Sequence, residues 1–215
     1  SPDFETLSLK DMDHNNSSII FFYTMRIIYF FKFIIYSPVL VICLFLYFFN
    51  KERRCIIDAD LYRLQYRGGL NLLRVLVINK EFRNVLYYRF GKIGIILNFF
   101  MKGNPTLHIF PGSRIGKGLV VVHGDSTFIN CKSMGENCYV NQNVTIGVVG
   151  VKSPVIGDNV RIATGAIVIG GVNIGDNVTI AAGCVVVKDV PDNCLVVGNP
   201  AIIKKKDGVR CNIPL

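Results

Sequence analysis

The sequence predicts a mainly β protein, a parallel β-helix preceded by an α-helical N-terminal region. The first observation is a six-residue repeat in which an aliphatic residue returns, at Ile156, Ile162, Val168, Ile174, Ile180 and Val186. The second is a small or aliphatic residue four places after each of these, at Val160, Ala166, Val172, Val178, Cys184 and Val190. The third is a recurring Gly-Asp-Asn tripeptide, which supplies turn residues for corners. A hexapeptide period of this kind is typical of a parallel β-helix, in which three short strands form one coil.

The repeat continues upstream in a shifted phase, at Ile109, Ile115, Val122, Phe128, Met134, Val140 and Ile146. One extra residue precedes His123, and a ten-residue gap before Ile156 predicts a loop from Val148 to Pro154. Because insertions in a solenoid tend to lie on its functional face, both phase breaks are the places to look for chemistry.

Composition divides the chain into five segments. These are a polar start expected to be disordered (1–18), a hydrophobic segment (19–57), a helical region (58–104), the β-helix (105–200) and a basic tail (201–215). A native start at Met12 would make residues 1–11 an added leader. In the helical region, Asp58 or Asp60 is a candidate N-cap, Gly91 a candidate stop, and the expected role is to cover the open end of the first coil.

The hydrophobic segment from Ile19 to Asn50 is interrupted by Arg26, Lys32 and Pro38. Three interpretations are open: a monotopic hairpin bent at Pro38, a single membrane span, or helices buried against a partner. Basic residues follow the segment, so we expect membrane attachment at the cytoplasmic face of a bacterial inner membrane, with residues 19–49 either spanning the bilayer or lying on it.

Charge and cysteine content exclude other classes. The net charge of +9 lies in short clusters beside apolar sequence, which favours a membrane surface over nucleic acid as a partner. The seven cysteines are scattered without paired spacing, which predicts free thiols in a reducing compartment.

Several motifs together resemble one enzyme family. They are His123-Gly124, VNQNVTIG (140–147), SPVIGDNVRIATGA (153–166), AAGCVVVKDVP (181–191) and VVGNPA (196–201). These stretches, in this order, resemble the left-handed β-helix acyltransferases, in the branch of serine O-acetyltransferases and capsular polysaccharide O-acetyltransferases. The resemblance covers about half of the chain. It implies a left-handed solenoid, acetyl-CoA as acetyl donor, and a homotrimer with each active site between neighbouring copies.

The resemblance also implies that His123 is the general base that removes the proton of the acceptor hydroxyl. An imidazole suits this role because its ordinary pKa, about 6.5, is near working pH. The serine enzymes have an Asp where this chain has His108. The partner that orients His123 is therefore open between His108, Asp125 and Glu136.

By family position, the backbone N–H of Gly147 is the expected oxyanion donor. Small residues are expected to line a groove for the pantetheine arm, namely Ala163, Thr164, Gly165, Ala181, Ala182 and Gly183. Lys188 and Lys204 match basic positions near the nucleotide phosphates. Asn141 and Gln142, in the coil after His123, are expected to contact the acceptor.

The acceptor is predicted to be a sugar hydroxyl in a capsular or other surface polysaccharide, or a lipid-linked sugar. Serine enzymes have a His where Ser153 stands, and no Arg is placed there to bind a carboxylate. A serine O-acetyltransferase is the alternative, followed by a sugar N-acetyltransferase and a non-catalytic scaffold. Carbonic anhydrases of this fold use three His, and the solenoid has two, so no metal is expected.

Overall fold

The computed structural model describes the backbone of residues 4–215 and the side chains of residues 24–215. Its contacts divide the chain into two compact units, Ser1–Pro38 and Val39–Leu215. Five helices come first: α1 (Phe4–Phe49), α2 (Lys51–Arg63), α3 (Gly68–Ile78), α4 (Lys80–Phe90) and α5 (Lys92–Phe100). Strands then follow to the end of the chain, so the predicted fold class, a mainly β parallel solenoid after a helical region, is confirmed.

The first helix differs from the sequence prediction in two ways. It begins at Phe4, within the segment expected to be disordered, and it continues through Pro38 without the predicted hairpin bend. Proline lacks the N–H that would bond to the carbonyl four residues earlier, which is that of Ile34. The Ser37 hydroxyl donates to this carbonyl at 2.8 Å instead, so the helix keeps a donor there. A hairpin at Pro38 is therefore wrong.

Among the described residues, one helical stretch is long and apolar enough to cross a membrane. It runs from Thr24 to Phe49, with a mean hydropathy of 2.2, and 17% of its most apolar window is buried. Beyond Pro38, Leu40, Cys43 and Tyr47 are buried at helical spacing, while Phe45 between them is 62% exposed. This part of α1 therefore packs along one side only.

Helices α2 to α5 begin and end at residues that differ in part from the prediction. The N-cap of α2 is Asn50, whose side chain accepts from Arg53 N–H at 2.8 Å, and not Asp58 or Asp60. The predicted boundary at residue 57 thus falls inside α2. Asn79 ends α3 and caps α4, and Gly91 ends α4 with a φ of 62°, as its sequence position predicts.

Within residues 4–215, sixteen short strands form the solenoid and its C-terminal extension. They are β1 (Leu107–Ile109), β2 (Arg114–Ile115), β3 (Val120–Val121), β4 (Thr127–Ile129), β5 (Ser133–Met134), β6 (Tyr139–Val140), β7 (Thr145–Gly147), β8 (Val155–Ile156), β9 (Arg161–Ile162), β10 (Ile167–Ile169), β11 (Asn173–Ile174), β12 (Thr179–Ile180), β13 (Val185–Val186), β14 (Cys194–Val197), β15 (Ile202–Lys206) and β16 (Val209–Pro214). Sheet 1 has the order β1-β4-β7-β10-β13, sheet 2 the order β11-β8-β5-β2, and sheet 3 the order β16-β15-β14-β12-β9-β6-β3. Successive strands along the chain therefore belong to different sheets, as in a three-sided coil.

The strand register corrects the predicted aliphatic ladder in the first coil. Val121 pairs with Val140 and Ile129 pairs with Ile146, so these residues hold the inward positions that the repeat predicts for Val122 and Phe128. Ile129 is fully buried, whereas Phe128 is 42% exposed. The inserted residues therefore lie in the turn between β3 and β4, which contains His123, and the repeat alone could not place them because either neighbour is apolar.

Five of the seven cysteines are buried, Cys211 is half-buried and Cys55 is exposed, and none forms a disulfide. All seven cysteines are free, as predicted. Cys184 is fully buried on the inward ladder, and burial raises its thiol pKa. Burial also raises the pKa of the Cys138 thiol to about 11. These side chains are therefore protonated core residues at neutral pH.

The edge where the chain passes from sheet 2 to sheet 3 is called the acidic edge, formed by Glu136–Asn137, Gly157–Asn159, Gly175–Asn177 and Asp192–Asn193. Its asparagines adopt left-handed conformations, with φ of 56–57° at each coil. Each Asp carboxylate accepts the N–H of the equivalent residue one coil earlier, as Asp158 N–H donates to Asp176 at 2.7 Å. The edge thus satisfies its own polar groups.

A buried ion pair covers the first coil of the acidic edge. Arg89 of α4 binds Asp60 of α2 at 2.9 Å, and their side chains are 5% and 1% exposed. Asp60 Oδ1 accepts the N–H groups of Gly118 and Leu119, while Arg89 donates to two carbonyls of the same corner. Burial raises the pKa of the Asp60 carboxyl, and the guanidinium and both N–H groups oppose that rise. The helices therefore dock on the solenoid through Asp60.

The segment predicted as a basic tail is part of sheet 3. β15 pairs antiparallel with β14, and β16 pairs antiparallel with β15. The turn between β15 and β16 is Asp207-Gly208, with φ of 48° and 83°, the positive values that a tight hairpin requires. This hairpin covers the open edge left by the last parallel coil, which explains why the tail is ordered.

Candidate active site

Most of the predicted site residues lie along one edge of the solenoid, where the chain passes from sheet 3 to sheet 1. We call it the histidine edge, formed by Val122–Ser126, Asn141–Asn143, Ala163–Gly165 and Ala181–Gly183. Backbone hydrogen bonds stack these corners: Asn143 N–H donates to Asp125 at 2.8 Å, Gly165 N–H to Gln142 at 3.1 Å and Gly183 N–H to Thr164 at 2.9 Å. Residues far apart in sequence thus form one continuous strip.

His123 is exposed at the start of this strip and has a left-handed φ of 54°. This conformation is uncommon for a residue with a side chain, so the surrounding turn has to hold it. The next residue, Gly124, packs closely, because a Cβ there would lie 3.0–3.3 Å from Val121, Leu107 and Glu81. The carbonyl of His123 also accepts the N–H of Asp125. The imidazole is thus presented to solvent from a fixed turn.

His108 does not orient His123 within this chain. It lies in β1 on the outer face of sheet 1, where its ring stacks on Phe128 with centroids 4.7 Å apart and planes 20° apart. Within the described part of the chain, no hydrogen bond links the two imidazoles. The expected His–His pair is therefore not formed, because β1 directs His108 toward the aromatic ring instead.

Asp125 supports the turn through Asn104. Its Oδ1 accepts from Asn104 Nδ2 at 3.0 Å and from Thr106 Oγ1 at 3.4 Å. The same Asn104 amide donates to Glu81 Oε1 at 3.0 Å. Asn104 is 5% exposed, so one buried amide joins two carboxylates. This bridge connects α4 to the turn that presents His123.

Glu81 and Asn104 were not singled out from the sequence. A Glu in the first turn of a helix is ordinarily explained by the helix dipole, and an Asn before Pro by turn formation. Their partnership with Asp125 depends on tertiary contacts, which the sequence does not display. Glu136, the third candidate partner, lies on the acidic edge, where it pairs with Lys117 at 3.3 Å. It cannot orient His123 from that edge of the same chain.

Two amide oxygens on the histidine edge have no donor. Among the described residues, the buried side-chain atoms without a hydrogen-bond partner include Asn141 Oδ1 and Gln142 Oε1. Asn141 Nδ2 donates to Thr164 Oγ1 at 3.4 Å, which links its coil to the next. Buried acceptors are costly to leave unpaired, so these two are suited to receive a hydroxyl or N–H from a bound molecule.

The small residues predicted to form a groove continue the same strip. Ala163, Thr164 and Gly165 lie one coil before Ala181 and Ala182. Gly165 and Gly183 have φ of 69° and 66°, so glycine is required there by conformation. A Cβ at Gly183 would meet nothing within 4 Å, and one at Gly165 only a backbone atom at 3.9 Å. The strip is therefore unobstructed at both glycines, which leaves space for an extended chain along it.

The remaining predicted residues lie elsewhere. Ser153 and Lys188 belong to the edge where the chain passes from sheet 1 to sheet 2, called here the loop edge (Val148–Pro154, Gly170–Gly171 and Val187–Asp189), and Gly147 ends β7 directly before this edge. Lys204 lies in β15, where its Nζ donates to Asn212 at 2.6 Å. Within one chain, the structure does not bring these four residues to His123.

The loop predicted between the coils is present and short. Val149 and Lys152 exchange two backbone hydrogen bonds, of 3.0 and 3.1 Å, so the loop is a tight hairpin. Val151 at its tip is 97% exposed. The loop thus presents an apolar tip to solvent, while Ser153 behind it is half-buried.

A cavity of about 490 Å³ lies between α4, α5 and β1. Its lining includes Tyr88, Lys92, Ile95, Asn98, His108 and Phe110. No group of three or more His, Cys, Asp or Glu that could hold a metal ion occurs within the residues that the structure describes.

The repeat and the three-sheet coil define a parallel β-solenoid of hexapeptide type. Residues 153–188 match the family model "Bacterial transferase hexapeptide (six repeats)". The solenoid therefore carries the hexapeptide repeat of bacterial transferases, with the candidate site along one of its edges.

The chain is similar to serine acetyltransferases in sequence and in fold. It is 40% identical over 141 residues to the serine acetyltransferase of Staphylococcus aureus and 34% identical over 155 residues to that of Synechococcus elongatus. These matches cover 63% and 67% of this chain, and 64% of the length of each relative. Soybean serine acetyltransferase has a similar structure, with 28% identity, a TM-score of 0.62, and coverage of 74% of this chain and 73% of the soybean chain.

Proposed function

We propose that this protein is an acetyl-CoA-dependent O-acetyltransferase in which His123 is the general base. The observation that carries the proposal is the placement of His123 on the lengthened turn of the first coil, at the start of a strip of unpaired amide oxygens and small residues. The similarity to serine acetyltransferases supports it, and so does the match of residues 153–188 to the hexapeptide repeat of bacterial transferases.

The exposed imidazole can accept a proton from a hydroxyl that approaches the histidine edge. As the proton leaves, the hydroxyl oxygen attacks the carbonyl carbon of the acetyl thioester and forms a tetrahedral intermediate. The carbon–sulfur bond then breaks, and the imidazolium returns its proton to the departing thiolate. The unpaired oxygens of Asn141 and Gln142 are suited to hold N–H or O–H groups of the substrates beside His123.

A homotrimer would complete this site. Ser153 and Lys188 lie on the loop edge, and the oxyanion donor expected at Gly147 lies at the end of β7 beside it, so none of the three is on the histidine edge of the same chain. If the loop edge of one copy lies against the histidine edge of the next, both halves of the site meet. An active monodisperse monomer in light scattering would contradict this arrangement.

Serine is the first acceptor to test, because the relatives that align with the site are serine acetyltransferases. A sugar hydroxyl is the second candidate, and two observations favour it. The residues of the histidine edge include no Lys or Arg to bind an amino-acid carboxylate. The exposed His108–Phe128 pair offers a flat aromatic surface beside the edge, which suits the apolar face of a sugar ring.

Attachment to a membrane through α1 is a further part of the proposal. The stretch Thr24–Phe49 is long and apolar enough to span, and most of its surface is unburied. The basic residues Lys51, Arg53 and Arg54 follow it, and acetyl-CoA is a cytoplasmic metabolite, so the solenoid would lie at the cytoplasmic face. Recovery of the full-length protein in the soluble fraction without detergent would contradict this.

The experiment that tests the activity measures release of coenzyme A from acetyl-CoA with L-serine, with free hexoses and N-acetylhexosamines, and with lipid-linked sugars as separate acceptors. Mass spectrometry of the product then identifies the acetylated molecule. Acetylserine would select the serine acceptor, and an O-acetylated sugar the second candidate. Acceptor-independent release of coenzyme A, or no transfer to any hydroxyl, would contradict an O-acetyltransferase.

A further inference from the structure

The outer face of helix α5 is a large apolar surface that no other part of the described chain covers. Its members are exposed to 44–74% of their surface, and they are Ile93, Ile95, Ile96, Phe99 and Phe100. The opposite face packs tightly, since Leu97 is 3% exposed and a Cβ at Gly94 would lie 2.0 Å from the carbonyl oxygen of Tyr87. The helix is therefore fixed to α4 by one side and exposes five large apolar side chains, of which Ile95 also lines the cavity between α4, α5 and β1.

An apolar surface of this size is expected to contact a binding partner. Five adjacent Ile and Phe side chains exceed the scattered apolar exposure that soluble surfaces ordinarily show. Phe99 and Phe100 contact each other edge to face, with centroids 5.2 Å apart, so they form one continuous patch. Removing Phe and Ile side chains from water is favourable, so contact with a partner of low polarity stabilises this patch.

The charged residues at the two ends of α5 indicate the chemical class of this partner. Lys92 begins the helix and Lys102 follows it, and both are exposed. An apolar face with cations at both ends matches an anionic lipid surface, in which acyl chains take the side chains and headgroups take the ammonium groups. A symmetric contact with α5 of a second copy would instead bring the same cations together.

We infer that α5 is an interfacial helix that lies in the headgroup region of an anionic bilayer and forms a membrane contact separate from α1. The inference does not depend on the acetyltransferase activity. It assigns the exposed face of α5 to lipid and Lys92 and Lys102 to the headgroups.

The chain contains no Trp, so a single introduced Trp reports on its own surroundings. We would place the full-length Phe99→Trp variant in nanodiscs that contain anionic phosphatidylglycerol, with and without brominated acyl chains. The expected result is a blue-shifted emission and a loss of fluorescence in the brominated bilayer. Unquenched emission would overturn the inference, as would a blue shift that is already present without lipid and depends on protein concentration, which would indicate contact between copies.

Two further Trp variants show which part of the protein contacts the lipid. Val151→Trp replaces an apolar residue that is 97% exposed on the loop, and its emission should not respond to bromine. Phe45→Trp, 62% exposed on α1, reports insertion of that helix independently. Quenching at Phe45→Trp with none at Phe99→Trp would mean that α1 alone holds the protein on the membrane, and would overturn the assignment of α5.

The charge assignment has its own test. In the Phe99→Trp background, changing Lys92 and Lys102 to Glu should reduce quenching in the anionic nanodiscs, because the new carboxylates repel the headgroups. Raised salt should weaken quenching of the parent variant for the same reason. Quenching that is unaffected by both changes would overturn the assignment of these lysines to anionic headgroups.

Discussion

The acidic edge and the histidine edge are two corners of the same coil, and they differ in where their polar groups find partners. On the acidic edge, each Asp carboxylate accepts an N–H from the coil before it. The Asn159 and Asn177 amides donate to the Asn of the coil after them, as Asn177 Nδ2 does to Asn193 at 3.0 Å. On the histidine edge, Asn141 Oδ1 and Gln142 Oε1 have no donor, and His123 faces solvent. The acidic edge therefore stabilises the solenoid, whereas the histidine edge has unpaired polar groups that are available to bind a ligand.

The two edges also differ in which residues adopt the left-handed backbone conformation. Along the acidic edge from Asn137 to Asn193 the left-handed position is an Asn in every coil, a residue that tolerates this region through local hydrogen bonding. On the histidine edge the left-handed positions are held by His123, Ser126, Asn143 and two glycines, so no repeated residue type fixes the strip. The candidate site therefore lies on the edge whose left-handed positions are irregular. Substitutions on the histidine edge should lower activity, whereas substitutions on the acidic edge should lower stability.

The largest effect is expected from His123→Ala. Loss of the general base should lower kcat by roughly 10²–10⁴-fold while the binding of acetyl-CoA and the unfolding transition remain nearly unchanged. Steady-state kinetics and thermal unfolding check this. His108→Ala is the comparison, with a smaller loss, because His108 does not bond to His123 in this chain. Wild-type turnover in His123→Ala would end the proposed mechanism.

The next effect concerns the ion pair that covers the acidic edge. Arg89→Met leaves Asp60 buried without its guanidinium, and it should lower the free energy of unfolding by about 3–5 kcal/mol. Chemical denaturation measures this change. Asp60→Asn combined with Arg89→Met should recover part of the loss, because Asn keeps an acceptor for the N–H of Gly118. A double variant less stable than Arg89→Met would show that the pair is not the source of the loss.

The sequence predicted the solenoid well because its period is local and repeated many times. It placed the inward ladder correctly from Met134 onward, where the hexads are regular. It misplaced Val122 and Phe128 by one position, because several apolar residues stand side by side there and only the pairing with the next coil decides among them. The Asp-Gly pair at 207–208 is typical of a hairpin turn. The hairpin was missed because the segment was assigned as a tail from its basic composition.

The site was predicted in part. The strip from Asn141 to Ala182 follows from counting coils, so its members coincide in the structure. The bridge between Glu81, Asn104 and Asp125 could not be predicted, because these residues are joined by tertiary contacts and follow no period. The separation of Gly147 and Ser153 from His123 likewise depends on which corner of the prism each residue occupies.

The bridge provides a change that should affect both stability and activity. Asn104→Ala removes the amide that lies between two carboxylates, so Glu81 and Asp125 lose a shared donor and repel each other. The free energy of unfolding should fall by about 1–3 kcal/mol, the cost of leaving buried polar groups unsatisfied. Since the turn of His123 loses its support, kcat should fall more than KM changes. Equal stability and kcat in Asn104→Ala would contradict a supporting role.

The smallest effect is expected on the acidic edge, at Asn177. Asn177→Ala places an ordinary side chain at a φ of 57° and removes one member of the amide ladder. The left-handed conformation costs such a residue about 1 kcal/mol, so the midpoint of chemical denaturation should shift by a corresponding amount. Asn177→Gly is the matched control: it also loses the amide but accepts the conformation, and it should be the more stable of the two. Neither change should alter kcat, because this edge directs its polar groups into its own ladder. A loss of turnover in either variant, at unchanged stability, would mean that the acidic edge takes part in the reaction and that the functional division between the two edges is wrong.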